Sequence, residues 1–300
     1  MLSWPDLGTR VTVRYRRPPG SVPPLTDAVG HLLQIDPVVR VRTKTGAVVQ
    51  FAPADAVALR VLTDAPVRTS QIRALEHAAA LAWPGAEQSW LDGWLVRAGH
   101  GVTLAANSAV PLDVSATAGA IPAIVDWYSR RGLTPRLAVP DRLTRLPGGE
   151  HRRRMLVRDV RVTDLDPSVL LAARPDDEWL RLYDRQVPLD VLTAILDGEL
   201  AFGRYPDAAV GRAAVTDAPD GTRWVGLSAP RIVTGRHAPA LCAALLSWGA
   251  SRGATRGYIR LSDEVTLAGN VIESLGFTLH HLSRYVTVQP RLWSRHAQGG

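Results

Sequence analysis

The chain has 300 residues, of which 46% are hydrophobic and 21% charged, which excludes a mostly disordered polypeptide and leaves room for two or three compact units. Its formal charge of +7 rests on 34 arginines and a single lysine, Lys44, against 28 acidic residues. One cysteine, Cys242, excludes an internal disulfide and a multi-cysteine zinc site, and no run reaches the ~20 apolar residues that span a bilayer.

Residues 1–65 read as a small β unit carrying eight basic and five acidic residues. Arg10-Val11-Thr12-Val13-Arg14-Tyr15 alternates polar and apolar as a half-buried strand does, and 29–35, 38–43, 47–51 and 57–62 read as further strands. Lys44-Thr45-Gly46 reads as a hairpin turn, and the proline-rich 17–24 suits an exposed loop. Five short strands without a helix signal resemble an SH3-like or Tudor-like barrel.

A helix is expected over 70–82, with Ser70 as cap and Pro84 as stop. Strand signals return at 90–97 and 102–106, and a second helix over 118–131 stops at Gly132. A third helix covers 176–185, and the turn Pro219-Asp220-Gly221 joins strands at 211–215 and 223–227. The helix 238–252 then feeds a strand at 257–261, a short helix at 267–274 and a last strand at 281–288. Residues 127–134 match 248–255 in Trp, Arg, Gly and Thr, each time where a helix ends at glycine. That echo suggests two related α/β halves, 66–165 and 166–290, before a tail at 291–300.

The order hairpin, loop, helix, strand, short helix, final strand resembles the GCN5-related N-acetyltransferase (GNAT) superfamily. The resemblance is carried by Ala240-Leu241-Cys242-Ala243-Ala244-Leu245-Leu246-Ser247-Trp248-Gly249 and by Ala268-Gly269-Asn270-Val271-Ile272-Glu273-Ser274-Leu275-Gly276-Phe277, whose Leu-Gly-Phe end is that of the family's second signature. Upstream, 91–97 and 106–112 are similar to the degenerate first unit of two-unit members. The resemblance covers 1–290 and implies an α+β fold: a small SH3-like β-barrel followed by two GNAT-like mixed-sheet α/β units. It further implies that the second unit binds acetyl-CoA, needs no metal, and passes the acetyl group directly to a primary amine.

In that family a loop entering a helix N-terminus offers free N–H groups to the coenzyme A pyrophosphate. The corresponding stretch is Thr234-Gly235-Arg236-His237-Ala238-Pro239-Ala240, so the resemblance points to Leu227, Ser228, Ala229, Gly235, Arg236, His237, Ala238, Ala240, Leu241 and Asn270 as cofactor-binding residues. Arg236 stands where the family places glycine and Val233 where it places Arg or Gln, and the side chains of Arg236 and His237 can compensate at phosphate. The family's usual tyrosine acid is replaced by Ile272. Tyr285 is the nearest substitute, with a packing role as the alternative; Asp263 and Glu264 are candidates to hold a base or water, with a solvated turn as the alternative.

Other features read as structural. His280-His281 does not suggest a metal site, because neighbours on a strand face opposite sides and no third ligand is suitably spaced. Ser228 and Ser247 lack a nucleophile elbow, Arg152-Arg153-Arg154 reads as a solvated loop, and Cys242 reads as packing. Trp90, Trp94, Trp127, Trp179, Trp224 and Trp248 fall inside expected elements and read as core. The arginine bias fits an anionic partner or a GC-rich coding sequence, and the latter is preferred. A cytoplasmic, soluble acetyltransferase is expected, with a protein lysine of histone type as first acceptor and an amino acid such as glutamate as second. A catalytically degenerate scaffold used for ligand sensing or binding is the alternative from another class. Among partners, a nucleic acid and a second copy of the chain are alternatives, and no membrane is expected.

Overall fold

The computed structural model describes residues 2, 4–62, 67–233, 237–262 and 274–288. Contacts divide the chain at Pro66 into two units. In the first, β1 (Arg10–Arg16), β2 (Leu25–Gln34), β3 (Val39–Thr43), β4 (Val48–Phe51) and β5 (Ala56–Val61) pair antiparallel in the order β4-β3-β2-β1-β5. The apolar set of the alternation, including Val11, Val13, Ala28, Leu32, Val39 and Val41, closes the core. At Gly30 a Cβ would sit 2.0 Å from the Arg42 carbonyl oxygen, so β3 can approach β2 there only across a glycine.

The second unit begins with α1 (Thr69–Ala82), the hairpin β6 (Glu87–Leu91) and β7 (Trp94–Ala98), β8 (Val110–Pro111), α2 (Ile121–Ser129), β9 (Arg136–Pro140) and β10 (Glu150–Asp159). It continues with β11 (Leu170–Ala172), α3 (Asp177–Tyr183), α4 (Leu189–Leu192), β12 (Gly198–Tyr205), β13 (Ala209–Asp217), β14 (Arg223–Ile232), α5 (Ala238–Ser251), β15 (Arg256–Ser262) and β16 (Thr278–Thr287). Eight strands form one mixed sheet, β11-β12-β13-β14-β15-β10-β16-β9, and β6-β7-β8 form another. Because β10 lies between β15 and β16, segments 66–165 and 166–290 share the large sheet.

The period of the strands assigns the two faces. Val225, Leu227 and Ile259 meet Leu241, Cys242, Leu245 and Leu246 of the crossover helix α5. Trp224 and Tyr258, each one residue along, point the other way and meet Ala74, Leu75 and Ala78 of α1. Cys242 is thus a packing residue. The echo noted in the sequence is a repeated helix ending: Arg131 lies 3.7 Å over Trp127 and Arg252 lies 5.9 Å over Trp248, each followed by a glycine with positive φ.

Four local expectations are corrected. The strand expected over 90–97 is a hairpin, because Asp92 and Gly93 both take positive φ, 44° and 82°, as a two-residue turn requires. The strand expected over 102–106 is a loop: Asn107 accepts from the Gly99 and Gly101 amides and donates to the Gly99 and Thr103 carbonyls, which holds the backbone out of a ladder. Arg152-Arg153-Arg154 belongs to the central strand β10, not to a loop. Trp90 is exposed on the edge strand β6, outside the core. Of the short helix expected at 267–274, all but Ser274 lies outside the described residues. Among the described residues no helix is long and apolar enough to cross a membrane.

Candidate active site

The parallel strands β14 and β15 pair from Trp224 with Arg256 to Leu227 with Ile259, and then part. Both continue beyond the last pair, to Ile232 and Ser262. On its other side β14 keeps β13, but Ala229 and Pro230 stand opposite the single residue Gly211, a bulge that bends β14 away from β15. The fork therefore leaves one backbone edge of each strand without a strand partner among the described residues, which is unusual in the middle of a sheet.

A cavity of about 270 Å³ opens at the fork on the α1 face, walled by Trp83, Arg153, Arg212, Ser228, Tyr258 and Tyr285 among others. A pocket of about 20 Å³ shares Arg212, Leu227, Ser228 and Ile259 with it and reaches Ala238, Leu241 and Cys242 on the α5 face. Tyr258 is fitted over Gly226, its register partner; a Cβ there would lie 2.2 Å from the tyrosine hydroxyl. Burial pushes the Tyr258 hydroxyl up to about 12.

Behind the cavity wall lies a buried polar cluster. Glu76, on the sheet-facing side of α1, accepts from Arg260 Nη2 at 2.6 Å and from His281 Nε2 at 2.9 Å. Met155 explains why these two meet one carboxylate: it pairs with Arg260 on one side and His281 on the other. Burial opposes the charge on Glu76, but Arg260 and then His281 overcome it and hold the carboxyl at about 2. His280 and His281 are joined Nδ1 to Nδ1 at 2.8 Å, one donating to the other. The expectation that they face opposite sides fails because β16 carries a bulge there: Leu156 pairs with Leu279 and Met155 with His281, leaving His280 as an extra residue.

Two buried arginines close the C-terminal end of α1. Arg212 donates to the carbonyls of Ala82, Leu192 and Ala194 at 2.8–2.9 Å and to Ser228 Oγ at 3.1 Å. Arg97 donates to the Trp83 carbonyl and to Ser108, through its carbonyl and hydroxyl. These partners are neutral, so burial lowers both guanidinium pKa values, that of Arg212 to about 9. The carbonyl end of the helix supplies the compensating dipole.

Of the residues named from the sequence, Tyr285, Leu227 and Ser228 meet at the cavity. Ala229 falls in β14. Ala238 and Leu241 are buried in the first turns of α5 and Ala240 is half-buried beside them, while His237 stacks on Tyr205 at 4.1 Å. Asp263, Glu264, Gly235, Arg236 and Asn270 lie outside the described residues. Sequence reasoning missed Glu76, Trp83, Arg153, Arg212, Tyr258 and Arg260. A signal existed for two of them: Glu76 is the only acidic residue of the helix 70–82, and Arg212 is a lone charge within the apolar run 208–215.

The family model described as "Probable histone acetyltransferase Rv0428c C-terminal" matches residues 69–286, and that of the "Rv0428c N-terminal Sm-like domain" matches residues 5–60. The latter sharpens the SH3-like or Tudor-like expectation for the first unit. The probable histone acetyltransferase Rv0428c of Mycobacterium tuberculosis is 64% identical over 301 residues, covering 98% of this chain and 99% of that protein. Among solved structures, a GCN5-related N-acetyltransferase from Kribbella flavida covers 74% of this chain and 96% of its own, with a TM-score of 0.48 and 13% identity. One from Sphaerobacter thermophilus covers 53% and 63%, with a TM-score of 0.35 and 11% identity. The assignment rests on the family models and the mycobacterial relative: the chain belongs to the Rv0428c family of probable histone acetyltransferases, an N-terminal Sm-like domain followed by the family's C-terminal acetyltransferase domain.

Proposed function

We propose that the chain transfers an acetyl group from acetyl-CoA to a primary amine at the fork between β14 and β15. The observation that carries this reading is the loss of pairing after Leu227 and Ile259 while both strands run on. An acyl-thioester arm fits such a gap, since its amides can pair with the free strand edge and its methylenes with the apolar pocket beside Leu241. Ala238 and Ala240 would border the pyrophosphate at the start of α5, whose first turn presents free N–H groups. Acetyl-CoA supplies the acetyl group in activated form.

The amine enters from the α1 face, sheds one proton to solvent water, and attacks the thioester carbonyl carbon. A C–N bond forms as the C–S bond breaks, the electron pair of that bond leaves on sulfur, and the amine's second proton is the net equivalent that ends on the thiol. Tyr285, in the cavity wall, is the proposed acid that delivers a proton to the leaving sulfur and is reset by the amine's proton. The acceptor proposed is a protein lysine, which the name of the mycobacterial relative supports.

Calorimetry with acetyl-CoA, followed by thiol release with lysine peptides, tests the reading. Binding in the micromolar range and amine-dependent thiol release are expected. No heat at millimolar acetyl-CoA would leave the fold a scaffold without this chemistry.

A further inference from the structure

The charge of the cavity wall is one-sided. Among the described residues, Arg153, Arg185, Arg212 and Arg260 line it, and no aspartate or glutamate does. Arg260 is answered by Glu76 from behind, and Arg212 spends its donors on carbonyls and a hydroxyl. Arg153 differs. Its Nη1 is buried without a hydrogen-bond partner among the described residues, and the same holds for Nε of Arg260. Unpaired donors on a charged group are costly, and both side chains belong to the cavity wall, so the wall holds two guanidinium groups whose hydrogen-bonding capacity is not spent on the described residues and is open to a ligand acceptor.

Strand register brings the two groups together. Met155 pairs with Arg260, so Arg153, two residues before Met155, shares its face of the sheet and is a diagonal neighbour of Arg260. The Arg153 guanidinium also lies 5.7 Å over the Tyr285 ring. It therefore stands beside the proposed acid, on a strand two places from β14 in the sheet order β14-β15-β10.

We infer that the acceptor carries a carboxylate beside its amine and that Arg153 binds that carboxylate. The inference rests on the acetyl-transfer reading above, in which the phosphates of the donor lie toward α5 and leave Arg153 free for the acceptor. A carboxylate is planar and bidentate, matching a guanidinium that has an unspent N–H. Arg212, whose pKa burial lowers to about 9 for want of a counter-charge, would also gain from an anion nearby. An acceptor amine embedded in further cations would meet repulsion from the same wall. The carboxylate can come from an acidic residue flanking a lysine or from the α-carboxylate of a free amino acid.

Matched acceptors separate these sources. Thiol release is compared between a peptide holding one lysine flanked by glutamates and the same peptide with glutamines, and between L-glutamine and L-glutaminamide. At least one acid member is expected to exceed its neutral partner tenfold in kcat/KM, and the pair that does so identifies the source. In Arg153→Gln that ratio should fall to about one through KM, and Arg153→Lys should restore part of it. Equal rates within both pairs, or an unaltered ratio in Arg153→Gln, would overturn the inference while leaving acetyl transfer intact. If no acceptor is turned over, titration of the same four compounds into the protein still decides: carboxylate-dependent binding lost in Arg153→Gln supports the site, and binding indifferent to the carboxylate removes it.

Discussion

The guanidinium of Arg212 lies 4.6 Å over the Trp83 ring and donates to the carbonyl of the preceding residue, Ala82, at 2.9 Å. A cation from β13 thus caps α1 at the point where the helix meets the cavity. In Arg212→Met two buried carbonyls, a part-buried one and the Ser228 hydroxyl lose their donor together. Losses of this kind amount to about 3 kcal/mol, after allowing for relief of an uncompensated charge. For a unit of this size the melting temperature should fall by roughly 6–12 °C. Arg212→Lys keeps the charge but reaches fewer carbonyls, and should fall between. A melting curve for Arg212→Met superimposed on wild type would show that the carbonyls do not depend on the arginine.

What the sequence revealed and what it hid follow one physical division. Alternation and turn residues are local, so β1, read from its alternation, and β13, read from the Pro219-Asp220-Gly221 turn, could be placed within a residue or two of their ends. Leu227 and Ser228, to which the resemblance points, lie at the edge of the fork. The groups that finish the site come together across long separations: Glu76 meets Arg260 and His281 from 184 and 205 residues away. No local pattern encodes such a meeting. The bulge at His280 inverts a period-2 argument without leaving a turn residue to announce it. In β10 three consecutive arginines outweighed the buried Met155, Leu156 and Val157 that make it a central strand.

The Glu76 cluster makes the protein sensitive to acid in two steps. Burial, with the positive fields of His281 and Arg256, pulls His280 from 6.5 to about 3, and Glu76 is held at about 2 against 4.5. Both folded values lie below the unfolded ones, so the unfolded chain binds the extra protons and stability falls as pH drops. Loss should begin below pH 6.5 through His280 and steepen below 4.5 through Glu76. Between pH 7 and pH 5 the first step amounts to something on the order of 2 kcal/mol. Urea midpoints measured across this range check it, and His280→Leu should flatten the upper part of the curve. A wild-type midpoint that stays level from pH 7 to pH 5 rules out the His280 contribution.

Gly226 tests whether the fork is fitted around Tyr258. An alanine Cβ at this position would sit 2.2 Å from the tyrosine Cζ and hydroxyl, so the buried ring would have to move into the cavity. Overpacking of this kind costs about 1–3 kcal/mol. Gly226→Ala should also weaken acetyl-CoA binding, because the displaced ring enters the gap proposed for the thioester. The double variant Gly226→Ala/Tyr258→Leu makes room for the methyl group and should recover much of the stability lost in the single variant. Additive losses would mean that the two residues do not share the space.

Tyr285 tests the chemistry itself. It sits in the cavity wall beneath Arg153 and packs with Leu95, Val110 and Ala138, so Tyr285→Phe removes the hydroxyl and keeps the ring that the packing needs. If the hydroxyl protonates the departing thiolate, kcat should fall by a factor of about 100, near the lower end of what a positioned acid contributes. Acetyl-CoA binding and melting temperature serve as controls for the fold and should stay close to wild type. The loss should shrink with a thioester whose thiol is more acidic than coenzyme A, since such a leaving group needs less help. A rate unchanged by the substitution would assign Tyr285 to packing alone and leave the proton to another group on the wall, with Tyr258 the next to replace.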